Sequence, residues 1–315
     1  RSIQNNTLQQ GAHAIVYEDN SGNLLVQFNH IANNIGYAVR RTGTTGAGSL
    51  TVVANNLLNN AWSTQIECGI ASKGVVDHNY WGPGISPASA SANCTYTEGS
   101  QLGAAILTQA AGVSGQLVQV STTGTSLFGS ALNVKRTTGE DYWLYVVNHG
   151  QGVETNVPFL GYGTDPITPC SNFYDLFLGS TPGTETDLVA ALKYNLNSSC
   201  QAVIESQDYC GQPDSPENYP LWWYDPKDSV TDKWDKVGES PTGSGAGGAS
   251  GQGVQCDLTQ KTITMTLDTS GRPNLGLDLN RTPFIVGLPL PLGVQLTVEG
   301  FTGSYKVNQA DLTWT

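Results

Sequence analysis

The fold is decided by a short phrase, Val26-Gln-Phe-Asn-His-Ile31, of which three further versions lie within the first 81 residues. Each version has an asparagine at its fourth position and apolar residues at both ends. The other three read Ile3-Gln-Asn-Asn-Thr-Leu8, Val52-Val-Ala-Asn-Asn-Leu57 and Val76-Asp-His-Asn-Tyr-Trp81. The asparagines are Asn6, Asn29, Asn55 and Asn79, and subtraction of these numbers gives spacings of 23, 26 and 24 residues. A repeat of that length is typical of stacked coils, none of which buries its apolar side chains alone.

We expect the four asparagines to form a ladder along the stack of coils. Stacked carboxamides can hydrogen-bond from one coil to the next, and asparagine tolerates a tight corner. A neighbouring apolar row is expected from Leu8, Ile31, Leu57 and Trp81. Residues 1–83 resemble a right-handed parallel β-helix, and Asn79-Tyr-Trp-Gly-Pro83 is similar to the phrase with which coils of that repeat family often finish.

Composition restricts the class of protein and its partners. The chain has 315 residues with 14 basic and 26 acidic side chains, giving a formal net charge of −12. This balance argues against nucleic acid as a partner, because binding it needs a basic face. Only 13% of the residues are charged and 37 are glycine, which suits an all-β protein displayed outside the cell. No apolar run approaches the 18 or so residues of a membrane helix, so we expect no membrane span.

Six cysteines indicate disulfides and an extracellular or cell-surface location. Their number is even and no Cys-x-x-Cys pair occurs, which favours disulfides over a zinc site. Cys68 and Cys94 fall in the first region and are expected to pair there. The other four allow three connectivities, of which we favour Cys170–Cys200 and Cys210–Cys256.

Four regions are expected along the chain, all of them β or connecting segments. Residues 1–83 form the coils, and residues 84–114 form a linker or a cap, for which Leu102-Gly-Ala-Ala-Ile-Leu107 is the candidate. Residues 115–287 alternate apolar and polar side chains between turn clusters and are expected to form a β-sandwich. Residues 288–315 form C-terminal strands. The fold class is therefore all-β, with a short parallel β-helix, an immunoglobulin-like sandwich and a C-terminal two-stranded segment.

Two further resemblances concern the second half of the chain. The phrases Leu192-Lys-Tyr-Asn-Leu196, Leu221-Trp-Trp-Tyr-Asp225 and Lys233-Trp-Asp-Lys-Val-Gly238 resemble a sandwich module common in very large bacterial surface and secreted proteins. Residues 288–315 resemble the first two strands of a fibronectin-type or related domain. Here, the chain ends after those strands, which would be a truncated domain or strands donated to another copy.

Candidate catalytic and ligand-binding residues are few, and for most of them we favour a structural role. Asp77-His78 is the best local acid–base couple, but a solvent-facing pair beside a structural asparagine is the reading we favour. Arg40-Arg41 could hold a sugar carboxylate, although paired arginines on a coil are more often solvated. A sugar-stacking platform could be formed by Trp222, Trp223, Tyr224 and Trp234, with sandwich core as the favoured alternative. At least one of the adjacent tryptophans is expected to face outward.

One acidic segment raises the question of a cofactor. A calcium site could be formed by Asp225, Asp228, Asp232 and Asp235, because oxygen-rich loops bind calcium. Their spacing does not match that of an EF-hand loop, and a plain acidic loop is the interpretation we favour. We therefore expect no resident cofactor and no catalytic metal.

The function we favour is structural and not enzymatic. We expect a subunit or segment of an extracellular filament, sheath or adhesin, whose copies join head-to-tail by β-strand addition. Alternate pockets would be filled by Val294, Leu296, Val298, Leu312 and Trp314. The alternative is a carbohydrate-binding or polysaccharide-cleaving β-helix protein, with cell-surface glycans as partners.

Overall fold

The structure is a computed structural model, and the strands and helices given below lie in the residues that it describes. These residues are 1–18, 22–43, 45–60, 63–82, 85–97, 102, 115–150, 167–178, 187–194, 198–205, 220–224, 234–237, 254–269, 273–275, 279, 283–289, 301–306 and 309–314. The chain is almost entirely β, with two short α-helices and one turn of 3₁₀ helix among these residues. The predicted fold class is confirmed.

The first part of the chain is a β-solenoid with three complete turns, each made of three short strands. Its first sheet stacks β1 (Ser2–Gln4), β4 (Leu24–Gln27), β7 (Leu50–Val53) and β10 (Gly74–Asp77), and its second stacks β2 (Thr7–Gln9), β5 (His30–Ala32) and β8 (Asn56–Leu58). The third sheet stacks β3 (Ile15–Tyr17), β6 (Val39–Arg41), β9 (Ile66–Glu67) and β11 (Ser91–Ala92). Every pairing is parallel. The expectation of parallel coils is therefore confirmed.

The interior of the solenoid holds the apolar ends of the repeated phrase. Leu8 pairs in register with Ile31, and Ile31 with Leu57. Ile31, Leu57 and Trp81 are almost completely buried, and all three belong to one cluster with Val26, against which Leu8 also packs. The expected apolar row therefore runs along the inside of the second sheet.

The solenoid continues beyond residue 83, which corrects the predicted boundary. After the helix α1 (Pro87–Ala90), β11 adds to the third sheet beside β9, and Thr95 bridges to Val75 in the first sheet. The backbone amide of Leu102 then donates to the carbonyl of Asn79, at 3.0 Å. These residues complete a fourth turn, which β10 begins, and start the next one where a linker or a cap was expected. Leu102 is the one residue of the predicted cap segment that the structure describes.

The second part of the chain is a sandwich of two antiparallel sheets. The first sheet is ordered β12 (Gly115–Val120), β15 (Tyr142–Asn148), β17 (Tyr174–Leu178), β23 (Pro283–Pro289), β19 (Leu221–Tyr224) and β20 (Trp234–Lys236), with β16 (Ile167–Pro169) also on β23. The second is ordered β13 (Thr125–Leu127), β14 (Leu132–Lys135), β18 (Asp187–Lys193), β22 (Thr262–Asp268) and β21 (Val254–Asp257). One core cluster joins the sheets, with Leu144 and Leu176 from the first and Leu188 and Ile263 from the second. The helix α2 (Ser198–Ile204) adds Ile204 to this core.

Both adjacent tryptophans of β19 are buried, contrary to the expectation that one would be exposed. Trp223 faces the sandwich core with no exposed surface, and Trp222, on the opposite face, is only 8% exposed. The Trp222 indole nitrogen donates to the carbonyl of Gly287 at 2.8 Å. The strand lies inside its sheet and is covered on both faces, so the alternation of side chains does not bring either tryptophan to the surface.

The chain ends in a two-stranded antiparallel sheet, as expected. It pairs β24 (Phe301–Lys306) with β25 (Gln309–Trp314), and Phe301 lies opposite Trp314. We call this sheet the C-terminal hairpin. Of the predicted assembly residues, Leu312 and Trp314 lie on β25, whereas Val294, Leu296 and Val298 lie outside the described residues.

Two disulfides match the predicted pairs. Cys68 is bonded to Cys94 and Cys170 to Cys200. Cys256 is also disulfide-bonded, and its predicted partner Cys210 lies outside the described residues. The sequence separation of the first bridge is 26 residues, one coil of the solenoid, so it joins successive turns. Each bridge stabilises the folded chain by about 2–4 kcal/mol.

The Cys68–Cys94 bridge leaves no room for a side chain at Gly74, which generates a prediction. A Cβ added at Gly74 would lie 2.3 Å from the Cys68 Cβ, and Gly74 has an ordinary extended φ of −124°. We expect Gly74→Ala to lower the free energy of unfolding by about 1–3 kcal/mol through overpacking alone. Thermal unfolding of the oxidised protein measures this change.

The matched control is Gly22→Ala, because the nearest atom to a Cβ there is the Tyr17 hydroxyl at 4.0 Å. We expect this control to unfold within about 0.5 kcal/mol of the native sequence. Equal destabilisation by both substitutions would contradict the steric explanation.

Candidate functional site

The four repeated asparagines form a continuous ladder at the corner between the first and second sheets. The carboxamide nitrogen of Asn6 donates to the Asn29 Oδ1 at 3.2 Å, that of Asn29 to the Asn55 Oδ1 at 3.0 Å, and that of Asn55 to the Asn79 Oδ1 at 3.0 Å. Each of these oxygens also accepts the backbone N–H of the preceding ladder residue. Asn29, Asn55 and Asn79 are at most 1% exposed. The ladder therefore satisfies buried backbone groups that the strands leave unpaired at the turn.

The residue before each ladder asparagine carries the turn itself. Asn5, Phe28, Ala54 and His78 all have positive φ, between 51° and 57°, in the left-handed region. Such a conformation costs a non-glycine residue on the order of 1 kcal/mol. The hydrogen bonds of the following asparagine offset that cost, and the turn directs the side chain of the strained residue out of the coil.

A second polar ladder lies five residues further along, and the sequence interpretation missed it. Asn34 donates through Nδ2 to the Asn60 Oδ1 at 2.9 Å, Asn60 donates to the Gln65 Oε1 at 2.8 Å, and the Gly11 amide donates to the Asn34 Oδ1. The residues before Gly11, Asn34 and Asn60 again have positive φ, between 49° and 61°. The signal was present in the sequence, because Asn34 and Asn60 have the same 26-residue spacing as Asn29 and Asn55.

The outward residues of the first corner pack against the sandwich. Phe28, Ala54 and Tyr80 form one buried cluster with Val147 and Phe177 of the first sandwich sheet. The His78 ring stacks on Phe177, with centroids 4.0 Å apart and planes 3° apart, and Phe177 stacks on Tyr145 at 4.9 Å. We call this cluster the junction. It makes the solenoid and the sandwich one packed unit, although a linker or a cap was expected between them.

The junction is closely packed. A Cβ added at Gly115 would lie 2.1 Å from the Phe28 Cδ1, so the first strand of the sandwich approaches the corner as closely as glycine allows. Burial raises the pKa of the Tyr145 phenol above its ordinary value. At one side of the junction a small cavity of about 240 Å³ is lined by Gln4, Gln27 and Gln116, among others. The carboxamide of Gln27 donates to that of Gln4 at 2.8 Å, adding another contact between coils.

The acid–base couple predicted at Asp77-His78 is occupied by structural contacts. The Asp77 carboxylate accepts the Thr97 amide at 2.7 Å and so holds the chain that follows β11 against β10. His78 stacks on Phe177 at the junction. The two side chains therefore hold different parts of the structure, in agreement with the favoured structural reading, although His78 is not the solvent-facing residue we expected.

The two adjacent arginines differ in their contacts, and the expectation that both are solvated is wrong for Arg41. Arg41 is 1% exposed, and its guanidinium donates to the carbonyls of Cys68 at 3.4 Å and Gly46 at 3.3 Å. Arg40 lies over the Tyr37 ring, 5.2 Å from its centroid. Arg41 is thus built into the solenoid, and neither residue is arranged with the other to hold a sugar carboxylate.

The remaining predicted sites are only partly described. Asp225, Asp228 and Asp232 lie outside the described residues, and only the backbone is described for Asp235 and Trp234. Within the described ranges, no group of three or more His, Cys, Asp or Glu side chains is placed to hold a metal ion. Over the same ranges, no helix has the length and apolar character needed to cross a membrane.

Comparisons with known proteins leave the fold as the main guide to function. No protein-family model, no curated protein and no solved structure matches this chain. The class that the structure defines is a disulfide-bonded β-solenoid packed on an antiparallel β-sandwich.

The buried ladder generates a prediction at its centre. In Asn55→Asp, a carboxylate oxygen replaces the Nδ2 that donates to the Val26 and Val53 carbonyls and to the Asn79 Oδ1. We expect a loss of about 3 kcal/mol in the free energy of unfolding at neutral pH. Burial raises the folded-state pKa of the new aspartate, so stability is greatest below its unfolded pKa of about 4 and is lost as pH rises through the folded value.

Urea unfolding between pH 3 and pH 8 measures this loss of stability. Each variant is compared with the native sequence at the same pH. Asn6→Asp is the matched control, since Asn6 is exposed at the end of the same ladder. We expect it to lose less than about 1 kcal/mol. A loss for Asn55→Asp that does not grow with pH would contradict the assigned hydrogen-bond directions.

The junction generates a second prediction. Phe177 is 1% exposed and contacts both Tyr145 and His78, so Phe177→Ala should remove about 3–5 kcal/mol of packing between the two parts. We expect calorimetry to show one transition for the native chain and two for the variant. The matched control is Trp143→Ala on β15, because Trp143 is 50% exposed and should cost little. Two transitions in the native chain would show that the junction does not couple the two parts.

Proposed function

We propose that this protein is an extracellular structural or surface protein whose copies join by β-strand addition, as a subunit or segment of a filament, sheath or adhesin. The observation that carries the proposal is the C-terminal hairpin, whose strands pair with each other and with no other strand among the described residues. A two-stranded sheet is only marginally stable by itself in water. Addition to another sheet would stabilise it.

The solenoid supplies a suitable acceptor for such a strand. In the first turn, β1, β2 and β3 each pair with a strand of the second turn, and none has a second partner in the described part of the chain. An unpaired strand edge presents a row of backbone N–H and C=O groups to an incoming strand. A hairpin adding there joins unlike surfaces, so the contact is head-to-tail and extends into an open assembly.

The rest of the architecture supports an extracellular, load-resistant role. Two disulfides and the low content of charged residues fit a protein outside the cell. The junction fastens the solenoid to the sandwich, so a pull on one part is transmitted to the other. The resemblance of the second half to a sandwich module of bacterial surface proteins agrees with this role. We propose no enzymatic activity, and Asp77 and His78 are engaged in structural contacts.

Removal of the C-terminal hairpin tests the proposal. We expect the full chain to form larger species as concentration rises in sedimentation velocity, and a chain lacking residues 301–314 to stay monomeric with unchanged thermal unfolding. The free peptide 301–314 should block assembly of the full chain, and a scrambled peptide of the same composition should not. Assembly of the shortened chain, or a full chain that is monomeric at high concentration, would refute the proposal.

A further inference from the structure

The outer face of the second sandwich sheet carries a transverse row of small and polar side chains. Ser126 pairs with Asn133, Asn133 with Ala191, Ala191 with Thr264, and Thr264 with Gln255, so that one residue from each of five strands lies in line. The alternate residues of these strands enter the sandwich core. Since the side chains of a strand alternate between faces, this row points away from the core.

The row crosses a groove of about 670 Å³ that lies along the central strand β18. Ala191 and Val189 line its middle, and side chains from β14, β21 and β22 line its sides. Ala191 of the central strand is smaller than Asn133 and Thr264, the residues on either side of it, which leaves space above β18. Its volume is within the range of sites that bind small ligands or short segments of polymers.

Two lysines mark the ends of the groove. Lys135 lies opposite Val189, and Lys193 lies opposite Thr262, so four residues of β18, on the order of 13 Å, separate the two positions along the strand. Both lysines line the groove, and no carboxylate does so among the described residues. This local charge is opposite to that of the whole chain, which carries −12.

The carboxylates on the strands of this sheet lie at strand ends. Asp187 accepts the backbone amides of Thr137 and Thr138, at 2.9 and 3.1 Å. Burial acts to raise the pKa of Asp187, but the hydrogen bonds from Thr137 and Thr138 outweigh it and lower the pKa overall. Asp257, at the other end, accepts the amides of Thr259 and Gln260, both at 2.9 Å. Asp268 pairs with Asp187 one row beyond the groove. These acids lie outside the groove and leave the lysines as its charged groups.

The remaining lining is rich in hydroxyl and carboxamide groups. Thr262, Thr264 and Thr266 present a line of hydroxyls from β22, and Asn133 donates to the Ser126 hydroxyl at 3.1 Å on the other side. No aromatic side chain is among the described residues that line it, so stacking on sugar or base rings does not contribute there. Such a surface favours a ligand with many hydroxyl groups and with negative charges that the two ammonium groups can reach.

We propose that this groove binds a segment of an acidic polysaccharide, a glycan whose sugars carry carboxylates. The sugar hydroxyls exchange hydrogen bonds with the threonine, serine and carboxamide groups, and the sugar carboxylates pair with Lys135 and Lys193. Binding here does not depend on the C-terminal hairpin, since all groove residues belong to the sandwich. An experiment that contradicts the proposed assembly would therefore leave the proposed glycan site unaffected, and the reverse also holds.

Titration calorimetry with an oligogalacturonide tests the site directly on the full chain. We expect binding that weakens as salt is added, and a loss of roughly tenfold in affinity for the double variant Lys135→Gln/Lys193→Gln. Ala191→Leu, which fills the middle of the groove without changing charge, should weaken binding as well. Lys73→Gln on the solenoid is the matched control for charge and should bind like the native protein, because Lys73 lies in the 3₁₀ turn Ala71–Lys73.

Two comparison ligands make the outcome decisive. Dextran, which has hydroxyls and no charge, and polyglutamate, which has carboxylates and no sugar, should both bind at least tenfold more weakly than the oligogalacturonide. Equal binding of polyglutamate would show a charge effect without sugar recognition and overturn the proposal. Unchanged binding by the double variant, or an equal loss with Lys73→Gln, would also overturn it.

Discussion

The structure depends on a buried carboxamide placed directly after a backbone turn that few residues adopt readily. At Phe28, Ala54 and His78 the chain enters the left-handed region, and the asparagine that follows hydrogen-bonds to the backbone and side chain of the next coil. Neither half of this arrangement is stable alone, because the turn is strained and a buried carboxamide without partners is costly. Together they fix both the position of the corner and the register of the coils.

The same corner positions side chains on the inside and on the outside of the solenoid. Asn29 and Asn55 point inward and hold the stack, while Phe28 and His78 point outward and contact the sandwich. Because one backbone conformation sets both directions, an error in the ladder would also displace the surface that meets Phe177. The attachment of the sandwich thus depends on hydrogen bonds inside its neighbour, although no ladder atom belongs to the junction cluster.

Features that repeat along the chain can be predicted from the sequence, whereas features that depend on neighbours in space cannot. The spacing of Asn29 and Asn55 was sufficient to predict parallel coils, and alternation was sufficient for strands such as β22. The part of the solenoid after residue 83 was missed because it lacks the repeated phrase and begins with a short helix. At least one of Trp222 and Trp223 was expected on the surface because a strand read alone has one open face, and only the assembled layers show that both are buried.

The bridge between Cys68 and Cys94 gives one coil of the solenoid a mechanical property that the unbridged coils lack. It spans 26 residues, a single coil, so the segment from Cys68 to Cys94 is a covalently closed loop. Under tension along the backbone, an unbridged coil releases roughly 80 Å of extended chain when it unfolds. The bridged coil adds almost no length, since force passes through the disulfide and the closed loop cannot lengthen unless a covalent bond breaks. The solenoid therefore combines coils that can lengthen under load with one coil that cannot.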